Sequence, residues 1–169
     1  MQTRYAAPLL LLLGLLFPAS ARAVGEYELK AAFLYNFALY TEWPSQHATL
    51  QFCVMGNDPF GDAMQPITRK TVRGATVRSV QVYSVAEARG CQLLFIAASE
   101  RGNLPYLAEQ LREVPVLTVT ESNGLAPSPA IIALVSANNR IEFEINQSAA
   151  QQVGLKLSSH LLKLARKVW

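Results

Sequence analysis

Apolar residues recur at three- and four-residue spacing over residues 26–40, where Leu29, Phe33, Phe37 and Tyr40 form a stripe flanked by Ala32 and Leu34. That period predicts a helix. Glu26 and Glu28 fall in its first turn, where the helix dipole favours acid. Glu42-Trp43-Pro44 ends it, because proline disfavours helical geometry in the residue before it. The pattern then shortens. Residues 50–55 predict a strand, Gly56-Asn57-Asp58-Pro59 a turn, and residues 60–66 a short helix. Residues 77–83 form a second strand, with Val80 and Val82 on one face and Ser79 and Gln81 on the other. Residues 91–97 are apolar at every other position and between, as in a strand buried on both sides.

Leu104, Leu107, Ala108 and Leu111 mark a helix over residues 103–114, and residues 116–120 a fourth strand. After a loop at 121–129, residues 130–135 and 140–145 predict a hairpin, since Asn138 and Asn139 tolerate the positive φ of a tight turn. In its second strand Ile141, Phe143 and Ile145 are expected to face the core and Arg140, Glu142 and Glu144 the solvent. A helical tail is expected from Ser148, restarting after Gly154, with Leu157, Leu161, Leu164 and Val168 on one face. Strands alternating with helices predict a layered α/β fold: a Rossmann-like, mostly parallel sheet of about six strands, with a late antiparallel hairpin and helices on both faces.

The N-terminus reads differently. Arg4 precedes an apolar run over residues 6–17, broken only by Pro8 and Gly14, and Ala21-Arg22-Ala23 fits the small-residue cleavage rule. The run is 12 residues long, whereas a bilayer needs about 20. Residues 1–23 are therefore expected to be a cleaved signal peptide, a cut after Ala21 being the near alternative, and residues 24–169 a single exported domain, not membrane-embedded. No Cys follows the small residues, so a lipoprotein is not indicated. The full chain has 15 basic and 12 acidic residues, but Arg4 and Arg22 leave with the signal, so 13 would face 12. A nearly neutral domain has no electrostatic case for nucleic acid.

Cys53 and Cys91 lie in strand-like runs. An even count in an exported chain favours a disulfide over two buried thiols. A bridge would close a loop of about 39 residues, worth roughly 4 kcal/mol in the chain-entropy model. Catalytic chemistry is thin. His47 and His160 are far apart, Cys/His metal spacing is missing, and no phosphate loop or nucleophile elbow appears. Asp58 beside Pro59 reads as a turn former, and Asp62 as a helix N-terminal charge. The pattern predicts a binding protein, with no cofactor, no metal and no catalytic residue. Aromatics favour interfaces, which makes Tyr35, Trp43 and Trp169 candidates for partner contact, with His160 on the last helix.

Several segments together resemble the YfiR-type periplasmic proteins: residues 28–37 with Trp43-Pro44, Phe52-Cys53-Val54 with Asp58-Pro59-Phe60, and residues 91–96, 116–119 and 140–146. The last is residues 154–159 with 161–165. The resemblance implies a periplasmic repressor that binds the periplasmic sensor domain of an inner-membrane diguanylate cyclase, lowering cyclic di-GMP and biofilm formation. It also implies an OmpA-like outer-membrane lipoprotein that sequesters the repressor, a homodimer, and a disulfide at Cys53 and Cys91. Some family members sit beside histidine kinases or outer-membrane receptors instead. A small-molecule sensor is the alternative function. Residues 123–130 depart from the family pattern: they carry Pro127 and Pro129 and no Cys, so a second bridge is not expected.

Overall fold

The computed structural model describes residues 25–137 and 140–169. The expected cleavage site and the turn expected at residues 138–139 lie outside the described residues. In chain order the elements are α1 (Glu26–Leu39), β1 (Thr41–Glu42), β2 (Thr49–Met55), a 3-10 turn (Gly61–Met64) leading into α2 (Gln65–Thr68), β3 (Thr71–Val72) and β4 (Ala75–Val82). There follow α3 (Val85–Ala88), β5 (Leu93–Ile96), a second 3-10 turn (Ala98–Asn103), α4 (Leu104–Gln110), β6 (Leu117–Ser122), β7 (Ile132–Ala137) and β8 (Arg140–Ile145). The chain ends with α5 (Gln147–Gln152), β9 (Lys156–Leu157), α6 (Ser159–Leu164) and β10 (Lys167–Val168).

Eight strands form one sheet in the order β10-β8-β7-β6-β5-β2-β4-β3. The five strands β4-β2-β5-β6-β7 are mutually parallel, and β8 folds back antiparallel on β7. The parallel block has the doubly wound order 2-1-3-4-5, whose chain reverses direction across the sheet beside β2. This matches the layered α/β expectation, with more strands than the six expected. The additional ones are the two-residue pieces β3 and β10, and β1 pairs with β9 in a separate ribbon. Two residues leave too short a pattern for periodicity to register.

Alternation along the strands splits the core in two. Leu50, Phe52, Val54, Leu93, Phe95, Leu117, Val119, Ile132, Leu134, Phe143 and Ile145 pack beneath α1, α2 and the C-terminal helices. Cys53, Met55, Val82, Leu94 and Ile96 face the opposite side, under α3 and α4. Each layer is buried because crossovers place helices on both faces.

Three expectations need correction. The inward stripe of α1 is Ala31, Leu34, Phe37 and Ala38, while Leu29 is 42% exposed. Lys30 takes a buried position in that stripe, bound by two carboxylates. In β8, Glu144 is buried at 3% and Ile141 only half-buried. Arg166 Nη2 donates to Glu144 Oε1 at 2.9 Å, which lets the carboxylate point inward. The tail is not one amphipathic helix. Gly154 takes φ +78 after α5, Ser158 caps α6 through the Leu161 N–H, and α6 stops at Leu164. The open edge of β8 then takes up the chain end: Arg166 N–H donates to Phe143 O at 2.8 Å and Trp169 N–H to Ile145 O at 3.1 Å. Val168 therefore lies in a strand, and Leu164 is 58% exposed.

Candidate partner-binding surface

Tyr35, on α1, is half-buried; its hydroxyl donates to Thr71 O at 2.9 Å, and Lys70 Nζ lies 4.8 Å from the ring centre. It fastens α1 to the β3 edge. Just after α1, half-buried Trp43 donates its indole N–H to Gln92 O at 3.1 Å. Trp43 forms one wall of an open groove of about 520 Å³ at the amino end of the sheet. His47, Leu50, Val72 and Arg73 complete much of the lining. Arg73 holds φ +50 beside Gly74 at +86, the paired positive values that a two-residue hairpin needs. That turn carries the guanidinium to 3.1 Å from Glu42. Both partners are about half exposed, so their pairing contributes little to stability.

His160 is exposed, its ring 5.0 Å from that of Tyr40. The β1–β9 ribbon makes this neighbourhood, with Ser158 N–H bound to Tyr40 O at 2.9 Å. A smaller recess lined by Tyr40, Glu42, Arg73 and Ser158 shares Glu42 and Arg73 with the first groove, and His160 meets it through the Tyr40 ring. The fold thus places Trp43 in the groove and His160 beside Tyr40 at the adjoining recess, whereas Tyr35 lies over the β3 edge. Trp169 lies elsewhere, half-buried at the opposite sheet edge, where its carbonyl accepts the Gln147 N–H. Sequence reading passed over Arg73 and Glu42; the Arg73-Gly74 turn was the available signal. His47, far from His160 in sequence, is half-buried in the groove.

Cys53 and Cys91 are joined by a disulfide, their Cα atoms 6.0 Å apart. It ties β2 to the segment entering β5. Asp58 Oδ1 accepts the Phe60 N–H and Asp62 the Gln65 amide, so both carboxylates serve local turns.

A buried cation sits at the start of α1. Lys30, 3% exposed, donates to Glu26 at 2.5 Å and Glu121 at 2.6 Å, with its Nζ 4.5 Å from the Tyr27 ring centre. Burial works against its charge, but its hydrogen bonds to the two carboxylates raise the ammonium above its usual value. The hydrogen bond and charge of Lys30 hold Glu26 below the usual carboxylate range. Burial, then Glu121, raises the Tyr27 phenol. Ser136 Oγ also reaches Glu26, at 3.2 Å, so the cluster pins α1 to β6 and β7.

At the carboxyl ends of β2 and β4 a second open crevice of about 430 Å³ is rimmed by Tyr83 and Tyr106. It lies beside the reversal of strand order, where doubly wound sheets hold ligands. Among the described residues no group of three or more His, Cys, Asp or Glu is placed to hold a metal ion, and no helix is long and apolar enough to cross a membrane.

A family model described as YfiR/HmsC-like matches residues 27–166. Among solved structures, the ABC domain from Streptococcus pneumoniae in complex with L-Trp is similar at a TM-score of 0.52 and 9% identity. A conserved domain protein from Vibrio cholerae is similar at 0.52 and 11% identity. Each comparison covers 85% of this chain and 60% of the other. At such identities the likeness shows the fold alone, and this chain spans less than two thirds of either relative.

Proposed function

The chain belongs to the YfiR/HmsC-like family, and from that premise we propose that it is a periplasmic repressor of a membrane-bound diguanylate cyclase. The observation that carries this is the family match, which runs through nearly every described element. Repression needs no chemistry. A protein that binds the inactive conformation of the sensor domain better than the active one shifts the balance by that difference. Moving it from 1:99 to 99:1 takes about 5.5 kcal/mol, within reach of a protein interface of ordinary size. The contact is assigned to the amino-end groove, where Trp43 contributes its side chain, with His160 and Tyr35 beyond its lining and Trp169 a separate point. An OmpA-like outer-membrane lipoprotein is the partner that would withdraw the repressor, and the working unit is a homodimer. Export would follow from residues 1–23 acting as a signal peptide.

Deleting the gene is expected to raise cyclic di-GMP, and the exported protein to co-elute with the cyclase's periplasmic domain. His160→Ala removes an exposed side chain and is expected to weaken that association without lowering thermal stability. Unchanged cyclic di-GMP in a strain that expresses the gene would overturn the assignment.

A second reading is favoured by the crevice at the reversal of strand order. We infer that it makes the domain a small-molecule sensor, a role compatible with repression. The relative from Streptococcus pneumoniae holds L-Trp on a comparable fold. A ligand would raise the unfolding midpoint by mass action, and a metabolite screen by thermal shift tests this.

A further inference from the structure

The two most exposed aromatic residues among the described large hydrophobics, Tyr83 at 81% and Tyr106 at 60%, line the same crevice. They come from different elements, Tyr83 from the end of β4 and Tyr106 from α4. Exposed rings on one rim contribute nothing to the core, and each presents an apolar face with a polar tip. Between them the lining supplies Asn57, Ser84, Glu100 and Asn103. Among the described residues, no Lys, Arg or His lines the crevice.

The floor is held in place before any ligand arrives. Gly56 has φ +91, and a Cβ there would fall 2.4 Å from Ser99 Oγ, so the loop after β2 packs closely on the second 3-10 turn. Asn57 N–H donates to Ser99 Oγ at 2.9 Å, and Gln81 Nε2 to Gly56 O at 2.6 Å. Asn103 Nδ2 donates to Glu100 Oε2 at 2.8 Å, orienting that carboxylate as an acceptor. Pre-organisation of this kind lowers the ordering cost of binding.

The inventory selects a ligand class. A phosphate or carboxylate would be desolvated against Glu100 with no counter-charge in the lining. An α-amino acid meets the same objection at its carboxylate. Side-chain amides, a hydroxyl, a carboxylate and phenols offer donors and acceptors side by side, the complement of a row of hydroxyl groups. Two ring faces complement the C–H face of a pyranose. The volume suits a small ligand, being within the usual range of roughly 300–1,000 Å³.

We propose that the Tyr83–Tyr106 crevice is a binding site for an uncharged saccharide of one to three sugar units, stacked on the two rings and hydrogen-bonded by Asn57, Glu100 and Asn103. This rests on the small-molecule reading above and gives it a chemical class. The test is amide chemical-shift mapping on the ¹⁵N-labelled exported protein, titrated to millimolar with maltotriose, N,N′-diacetylchitobiose, glucose and glucose 6-phosphate. At least one neutral sugar is expected to give saturable shifts centred on Gly56, Asn57, Ser84 and Asn103, and glucose 6-phosphate to bind less well than glucose. Tyr83→Ala and Tyr106→Ala should each weaken binding tenfold or more, while Tyr83→Phe keeps it. Silence with every neutral sugar, shifts centred elsewhere, tighter binding of the phosphorylated sugar, or binding indifferent to both alanine variants overturns the proposal. The metabolite screen separates the two failures. A non-saccharide that raises the midpoint and maps to the crevice keeps the sensor reading and removes the sugar; no ligand at all removes both.

Discussion

The two faces of the sheet are held by different means. Over one lies the 14-residue helix α1, and the side chains beneath it are large and aromatic. Phe37 meets Phe143 edge-on at 5.0 Å, and Phe60 meets Phe95 at 4.7 Å. The other face is covered by α3 and α4, of four and seven residues, which supply less apolar surface. There the chain adds a disulfide between Cys53 and Cys91. It also buries two threonines: Thr120 Oγ1 donates to Ile96 O at 3.0 Å, and Thr118 Oγ1 accepts the Ile131 N–H at 2.9 Å. Where a long helix can be laid down, apolar burial is the main contribution, with the Lys30 cluster fixing one end of the helix. Where only short helices fit, a covalent tie and hydrogen bonds to the backbone supplement it.

The strongest way to break this contrast is to cut into the aromatic face. Phe37→Ala should cost about 3–5 kcal/mol in urea unfolding, the usual penalty for a cavity of that size. Removing the tie on the other face, as Cys53→Ala with Cys91→Ala, should cost about 2–4 kcal/mol. The loss should be indifferent to added reductant, whereas the wild-type protein should fall to a similar stability when reduced. If the double variant were as stable as wild type, the smaller face would not depend on its bridge.

Lys30 tests how the long helix is attached. Lys30→Met should cost about 1–3 kcal/mol, because it leaves the largely buried Glu121 without its cation. The pH dependence has a definite sign. Glu26 titrates below its unfolded value, so its contribution is present above about pH 4 and is lost as acid protonates the folded form. Lys30 titrates above its unfolded value, so its contribution is present below about pH 10 and is lost as pH rises through the folded value. Urea midpoints recorded across both limbs should show the two losses in the wild type and neither in Lys30→Met. The smallest effect belongs to Leu164→Ser, expected to stay within about 0.5 kcal/mol because the side chain is exposed. A loss of 2 kcal/mol or more would restore the amphipathic-tail arrangement.

Much of this architecture was legible because its signals are local. The strands β2, β5, β6 and β8 are runs of four or more residues whose alternation or continuous apolarity registers in a short window. For α1, the spacing predicted the helix and the inward Phe37 correctly, with Phe33 and Tyr40 packed at the margin, but it placed Leu29 inward and missed Lys30. Periodicity does not say what an inward-facing Lys30 will meet, and Glu121 is 91 positions away. Glu144 was assigned to solvent for the same reason: its partner Arg166 arrives on β10's approach, not from the hairpin. In the candidate surface, aromatic residues were recognisable, but the groove that collects Trp43, His47 and Arg73 is made by packing β3–β4 against the end of α1.

By itself the sequence determined the α/β alternation, the hairpin near the end and the even cysteine count that favours a bridge, since each depends on neighbours within about ten positions or on residue type alone; that Cys53 and Cys91 lie close enough to pair came from the pairing of β2 with β5. Tertiary structure alone decided the strand order, the two-residue strands β1, β3, β9 and β10, and the charges drawn into the core. Except for β3, which pairs with β4 across the Arg73-Gly74 turn, each of these is stabilised by a hydrogen bond or ion pair to a distant segment, and a backbone edge such as that of β8 accepts whatever extended chain reaches it.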